Sequence, residues 1–348
     1  IKIINKFLKM NTLQEGSGLN TIPLLQIKNL NTKFFTEAGD VHAVNNVNLS
    51  VKKNEIFALV GESGCGKSIT ARSIIRLIPK PGKIVSGSII LDGMDLLELK
   101  ESEMRKFRGS VISMVFQEPM TSLNPVYRIG NQIEEILIEH RREMTKPERR
   151  DRVYDILKLV GIPSPKQRAK QYPFELSGGM RQRVMIAMAL VCGNPQLLVA
   201  DEPTTALDVT IQAQILELIQ DLVKNLGMSV ILITHDLGVV AETADRVAVM
   251  YAGNIVESAL VKELFSKPLH PYTQGLIRSL PYGGKMGRKQ PLYSIPGNVS
   301  NLLNLKPGCK FYERCQFAED VCIEKTPPLL ETEKDHLVRC SRIHDIKF

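Results

Sequence analysis

Apolar positions along this chain follow two rhythms that take turns. Four short continuous runs, Ile56–Val60, Leu197–Ala200, Val230–Thr234 and Val247–Tyr251, read as strands, and the first reads as one buried on both faces of a parallel sheet. Between them the apolar period lengthens to that of a helix, as at Ile211, Ile215, Leu218, Ile219 and Leu222. The alternation predicts an α/β core with a mainly parallel sheet. Ahead of it, Leu24–Asn29 and Val47–Val51 are shorter strand-like runs, with a turn expected over Glu37–Asp40. A helix from about Lys67 to Leu77 is expected to stop at Pro79 and Pro81-Gly82.

From residue 125 to 180 the strand runs cease. Ile129, Ile133, Ile136 and Leu137 recur at helical spacing, as do Val153, Ile156, Leu157 and Val160, so a helical insertion bounded by Pro119 and Pro173 is expected. After about Ser258 the composition turns to Pro, Gly and Cys, which predicts an appended, loop-rich domain. The expected organisation is therefore a flexible leader over 1–22, a main domain over 23–258 with a helical subdomain at about 119–180, and a small Cys-rich domain over 259–348.

Composition narrows the class. An apolar fraction of 43% with 24% charged residues is that of a soluble globular chain. No stretch approaches the roughly 18 apolar residues of a membrane-spanning helix. The net charge of +8 gathers locally at Arg141, Arg142, Lys146, Arg149, Arg150 and Arg152. Glu143, Glu148 and Asp151 interleave with these, so a solvated helix face is expected rather than a surface for nucleic acid or anionic lipid.

Three segments carry chemistry. Gly61-Glu62-Ser63-Gly64-Cys65-Gly66-Lys67-Ser68 fits G-x-x-x-x-G-K-[ST] between an apolar strand and a helix. Backbone N–H groups at that helix start would cradle phosphates, Lys67 would reach the β- and γ-phosphates, and the Ser68 hydroxyl would join a magnesium shell. Ile69 follows in the same first turn. Asp201 ends a buried strand, where it suits a water-mediated magnesium contact, and Glu202 is placed to orient or deprotonate an attacking water. Leu176-Ser177-Gly178-Gly179-Met180 opens a long helix with a Ser cap and two glycines, a second anion-binding helix start. One site needs one cradle, so the second is expected to serve the nucleotide of another copy.

The ordered set Gly61–Ser68, Val115–Pro119, Leu176–Met180, Leu197–Pro203, Thr205–Asp208 and Ile233–Asp236 resembles the ATP-binding cassette (ABC) ATPases, over about Leu24 to Glu257. The resemblance implies a P-loop NTPase fold with an antiparallel β subdomain, and two cassettes dimerised head to tail. It makes Ser177 and Gly179 the cap on the partner's γ-phosphate and Gln117 the residue that senses magnesium and couples to the membrane subunit. It places Asp208 at the dimer seam and His235 on the γ-phosphate, and it puts Phe34, or its neighbour Phe35, on adenine. Met180 stands where the family commonly has Gln, which weakens a role for that side chain alone.

Pro119–Pro125, His270-Pro271-Tyr272-Thr273, Ser294–Gly297 and Pro307-Gly308-Cys309 further resemble the ATPase subunits of bacterial or archaeal dipeptide/oligopeptide importers. That resemblance implies two membrane permeases, an extracytoplasmic peptide-binding protein, a second ATPase subunit and a place at the cytoplasmic face of the cell membrane. Nucleic acid is not an expected partner; the rival is a soluble ABC ATPase acting on nucleic acid or ribosomes. Cys309, Cys315, Cys322 and Cys340 follow C-x5-C-x6-C-x17-C, a spacing that suits four thiolates around one centre. Zinc would accept four thiolates but commonly shows a tighter pair. The resemblance favours a four-iron–four-sulfur (4Fe-4S) cluster.

Overall fold

A computed structural model describes residues 23–280, 293–303, 305–343 and 345–346. The expected leader, 1–22, lies outside the described residues.

The chain opens with β1 (Leu25–Thr36) and β2 (Gly39–Val51), adjacent strands joined by a turn at Glu37-Ala38. Both outrun their apolar cores. In β1 the buried positions are Leu25 and Ile27, then Leu30 and Thr32, so the inward phase shifts by one residue. A register break between Lys28 and Asn31, with Asn29 at φ 48°, makes that shift. β3 (Ile56–Val60) is buried at all five positions and feeds the Gly-rich loop into α1 (Lys67–Ile74). Helix α1 stops short of Leu77 because Arg76 takes a left-handed φ of 54° before the prolines are reached. β4 (Gly82–Leu91) and β5 (Met94–Asp95) follow, then α2 (Glu101–Phe107) and β6 (Ile112–Val115).

Within the bounds expected for a helical insertion lie α3 (Ile129–His140) and α4 (Lys146–Leu159), and the long helix expected after Ser177 follows as α5 (Gly178–Leu190). Strand–helix alternation then resumes with β7 (Leu197–Asp201), α6 (Val209–Leu226), β8 (Ser229–Thr234), α7 (Leu237–Thr243) and β9 (Arg246–Tyr251). The tail adds β10 (Asn254–Leu260), α8 (Val261–Ser266), α9 (Pro271–Arg278), β11 (Leu330–Glu333) and β12 (His336–Val338).

These elements divide into two compact units, with the division falling inside β8. In the first, residues 25–50, 57–97 and 232–348, one sheet has the order β2-β1-β4-β5, with β1/β4 and β4/β5 antiparallel. This is the expected antiparallel subdomain. A second run of strands has the order β11-β12-β10-β9-β3. There β3 and β9 are parallel, from Phe57↔Arg246 to Val60↔Val249, and the later pairs are antiparallel. One core joins Ala58 and Val60 of β3 to Val247, Val249 and Tyr251 of β9 and to Leu264, Tyr272, Ile277 and Phe311 of the tail. A separate Cys-rich C-terminal domain is thus not what forms: Ser258, near the expected boundary, lies inside β10 and pairs with Leu337 of β12. The tail's apolar residues are too few and scattered to bury one another, and they complete the core of β3 and β9 instead.

In the second unit, which includes residues 51–56 and 98–231, β6 and β7 pair in parallel from Ile112↔Leu197 to Val115↔Ala200. Ile129, Ile133 and Leu137 of α3, Val153, Ile156 and Leu157 of α4, and Val184, Ile186 and Leu190 of α5 are the buried helix positions. Those of α3 and α4 are positions whose spacing announces the helices, although Ile136, expected on the same stripe, is only half-buried.

Candidate functional site

The loop leaving β3 is shaped by two glycines. A Cβ on Gly61 would lie 2.1 Å from the Met250 carbonyl oxygen, and one on Gly66 would lie 2.2 Å from that of Ala43. Gly66 also holds φ 109°, the left-handed region that a side chain resists, and it is the N-cap of α1. Only glycine lets the chain pass this close and still turn its N–H groups toward the loop's mouth. Ser63 and Gly64 form the exposed tip, and Ser68 and Ile69 lie half-buried in the first turn of α1. Lys67 is 5% exposed, and its Nζ donates to the carbonyls of Gly61 at 2.7 Å and Glu62 at 3.0 Å. Carbonyl oxygens are what an ammonium group takes when no stronger anion is at hand. Cys65 is buried, and desolvation pushes its thiol up, so it is a packing residue rather than a nucleophile.

Glu62 is fixed by residues that sequence reasoning missed. Its N–H donates to Tyr272 Oη at 2.9 Å, and its carboxylate takes both arms of Arg314, at 2.7 and 3.1 Å. Tyr272 belongs to the His-Pro-Tyr run noted only as a resemblance; no sequence signal marks Arg314. His270 of that run is the N-cap of α9, where its Nδ1 accepts from the Tyr272 N–H at 3.1 Å. It is 1% exposed, and burial pulls its pKa down to about 4. Phe34 is half-buried in β1 and paired with Gly82, where an added Cβ would meet its ring at 2.7 Å, while Phe35 is 45% exposed. In the same unit His235 is exposed just after β8, and the carboxylate of Asp236 caps α7 through the Gly238 N–H at 2.7 Å.

The other unit carries the carboxylates. Asp201, at the end of β7, is 2% exposed. Glu202 follows with a left-handed φ of 47°, a conformation that costs a non-glycine residue about 1–2 kcal/mol. Its Oε2 accepts from Gln117 Nε2 and from Thr205 Oγ1, both at 2.9 Å. The structure thus joins Gln117 to Glu202 and adds Thr205, which the sequence did not single out. Asp208 is the N-cap of α6, accepting from the Ile211 N–H at 2.9 Å. Ser177 is the N-cap of α5, with its Oγ accepting from the Met180 N–H at 3.3 Å. The first of the two glycines is exposed, whereas the second has a packing reason: a Cβ on Gly179 would lie 2.5 Å from Ile211 of α6.

The basic cluster is not wholly a solvated face. Arg152 donates to the Val191 carbonyl at 2.8 Å, and Arg141 donates to the Cys192 carbonyl through Nε at 3.0 Å. Both therefore satisfy carbonyls left unpaired beyond the end of α5. Arg142, Lys146 and Arg150 are exposed as expected.

Cys309, Cys315, Cys322 and Cys340 line one small cavity together with Phe311 and Arg342. Burial pushes Cys309 up to about 11 and raises Cys315 and Cys340, so these three are neutral thiols. Yet among the described residues no group of three or more His, Cys, Asp or Glu could hold a metal ion. The expected metal centre is accordingly not supported: the four residues converge on a cavity but do not form a coordinating group.

Comparison with known proteins adds a frame to this geometry. The family described as "ABC transporter" matches residues 44–205, and "Oligopeptide/dipeptide transporter, C-terminal region" matches 256–322. The chain is 53% identical to the oligopeptide transport ATP-binding protein AppD of Bacillus subtilis, over 91% of this chain and 96% of that one. It is 49% identical to the dipeptide transport ATP-binding protein DppD of the same organism, over 91% and 94%. Among solved structures, the dimeric post-hydrolysis state of the ATP-binding cassette MJ0796 bound to ADP and Pi superposes with a TM-score of 0.61 at 31% identity, covering 68% of this chain and 98% of that one.

Proposed function

We propose, for a chain that belongs to the ABC transporter ATPases and to their oligopeptide/dipeptide branch, that it is the ATP-hydrolysing subunit that energises a peptide importer. One observation carries the reading: buried Lys67, resting on two loop carbonyls at the head of a helix whose N-cap only glycine can occupy. A triphosphate would replace those carbonyls as the partner of Lys67, with the N–H groups of Gly64 through Ser68 around it.

Glu202 is the base. An attacking water would pass a proton to its carboxylate, which Gln117 and Thr205 hold in place by hydrogen bonds, while the γ-phosphate leaves the nucleotide. Ser68, Gln117 and, through water, Asp201 are the residues to hold magnesium, whose chemistry is to neutralise charge on the β- and γ-oxygens. With Nε2 of Gln117 committed to Glu202, its amide oxygen is the free end for that task. Phe34 serves adenine. Ser177, Gly179, Asp208 and His235 act across a head-to-tail pair, the first two on the partner's γ-phosphate. The second ATPase subunit is identical or homologous, and two permeases and an extracytoplasmic peptide-binding protein complete the assembly at the cytoplasmic face of the membrane. Among the described residues no helix is long and apolar enough to cross a membrane.

Glu202→Gln tests the reading. Hydrolysis should fall by two or more orders of magnitude, the scale of a lost base, while ATP binding persists and a nucleotide-locked dimer accumulates in size-exclusion chromatography. Turnover at the unsubstituted rate would refute the role of Glu202.

We further propose that the tail cysteines hold a 4Fe-4S cluster. Their convergence on one cavity supports this, with a spacing that suits four thiolates around one centre. Loading would expel the protons that burial now keeps on the thiols. Protein purified anaerobically should absorb in the visible and contain iron and sulfide. A colourless, iron-free protein would end the proposal.

A further inference from the structure

We propose that Arg314 and Tyr272 are positioning residues for the phosphate cradle, acting through Glu62. This rests on the nucleotide-site reading of Gly61–Ser68. Every polar group of Glu62 is engaged. Its N–H goes to Tyr272 Oη at 2.9 Å, its carboxylate goes to both guanidinium arms of Arg314, and its carbonyl takes the Lys67 ammonium at 3.0 Å. A residue held at all three points cannot rotate without moving the loop, and Lys67 reads its position directly.

The two holding side chains are themselves rigid. Tyr272 is fully buried, with its ring centroid 4.7 Å from that of Tyr251 and 5.4 Å from that of Phe311. The Arg314 side chain is 5% exposed. It lies 5.7 Å over the Tyr251 ring and 5.9 Å over that of Phe311, and its Nε donates to the Pro296 carbonyl at 3.0 Å. Planar, two-armed recognition of a carboxylate fixes direction as well as charge.

The charge matters for a second reason. Glu62 places a carboxylate within the loop that is to receive a triphosphate, and like charge there opposes binding. Arg314 cancels it. The frame behind Arg314 lies between two of the tail cysteines: the Arg314 N–H donates to the Phe311 carbonyl, the Cys315 N–H to that of Tyr312, and the Cys309 N–H to that of Cys322. Cys309 and Cys315 pack against the core that holds Tyr251 and Tyr272. The tail thereby sets both the place and the net charge of the loop.

The experiment uses the full chain and ATP titrations, with thermal melts as the folding check. Arg314→Met should weaken ATP binding and raise KM roughly tenfold to a hundredfold, the scale of a small misplacement, with a smaller change in kcat. Arg314→Lys, which keeps the charge but loses the fork, should fall between. In Glu62→Gln/Arg314→Met the uncancelled carboxylate is gone, so affinity should recover most of the way. Equal KM for Arg314→Met and the unsubstituted chain would overturn the proposal. So would additive losses in the double variant, the mark of two residues that act independently of each other. If Arg314→Met melts out, Arg314→Lys and Glu62→Gln carry the same comparison. Failure of the unsubstituted chain to bind ATP, or unaltered binding by Lys67→Ala, would sink the nucleotide reading itself and is distinguishable from either.

Discussion

His270 holds one proton position in a place where water cannot reach it. The imidazole accepts the Tyr272 N–H through Nδ1, and Glu257 receives the N–H groups of Leu269 and His270 and the Nε2 of His336. Burial lowers the His270 pKa to about 4, outweighing the opposing pull of Glu257. A group depressed below its unfolded value of about 6.5 is bound to more protons in the unfolded chain. Its contribution to stability is therefore complete above pH 6.5 and is lost as pH falls toward 4, by about 3 kcal/mol over that window. Asn can accept the same N–H without titrating. In His270→Asn the decline of the urea midpoint between pH 6.5 and 4 should flatten, and an unchanged slope would assign the acid sensitivity elsewhere. The sequence made the His-Pro-Tyr run visible but not its work. A cap is local and readable, whereas the contact of Tyr272 with Glu62 spans residues far apart in the chain.

Among elements, the helices with the clearest period were legible, because the residues that announce a buried stripe are those that pack. Ile129, Ile133 and Leu137 are all fully buried, and so are Ile156 and Leu157. The strand β3 was legible for the same reason. Strands β1 and β2 were underestimated: a bulge moves the inward phase of β1 from odd to even positions, and a pattern broken in the middle reads as a short run. The charged run was half misread. Arg141 and Arg152 look like solvated residues in one dimension, yet the carbonyls they serve lie beyond the end of α5, which no spacing rule reaches. At the candidate nucleotide site the loop glycines and the buried Lys67 were legible, and the structure joins Gln117 to Glu202. The Ser177 cap was legible as well, whereas it could not be seen that Asp208 also does structural work as a helix cap, or that Gly179 answers to Ile211.

For the whole molecule, composition suggested a tail that stands apart, and packing argues otherwise. Leu264, Tyr272, Ile277, Phe311 and Val338 are each at least nine-tenths buried, and the first four sit in one cluster with Ala58, Val60 and Val249. Each such side chain contributes about 1.5–3 kcal/mol relative to exposure. Together they approach about 10 kcal/mol, which is comparable to the total stability of a typical fold, about 5–15 kcal/mol. A chain ending after Leu260 should therefore not be a cassette lacking an accessory. It should lose the face of β9 that Tyr251 presents, leave β10 without its β12 partner, and release Glu62 from Arg314 and Tyr272. Such a truncation should express as aggregated protein or as a form without a cooperative thermal transition. Soluble, cooperatively melting protein with unaltered ATP affinity would mean that the tail is an independent module after all, and that the loop needs nothing from it. The two results separate cleanly, because the shared core decides stability while the hold on Glu62 decides affinity, and only an integrated tail loses both at once.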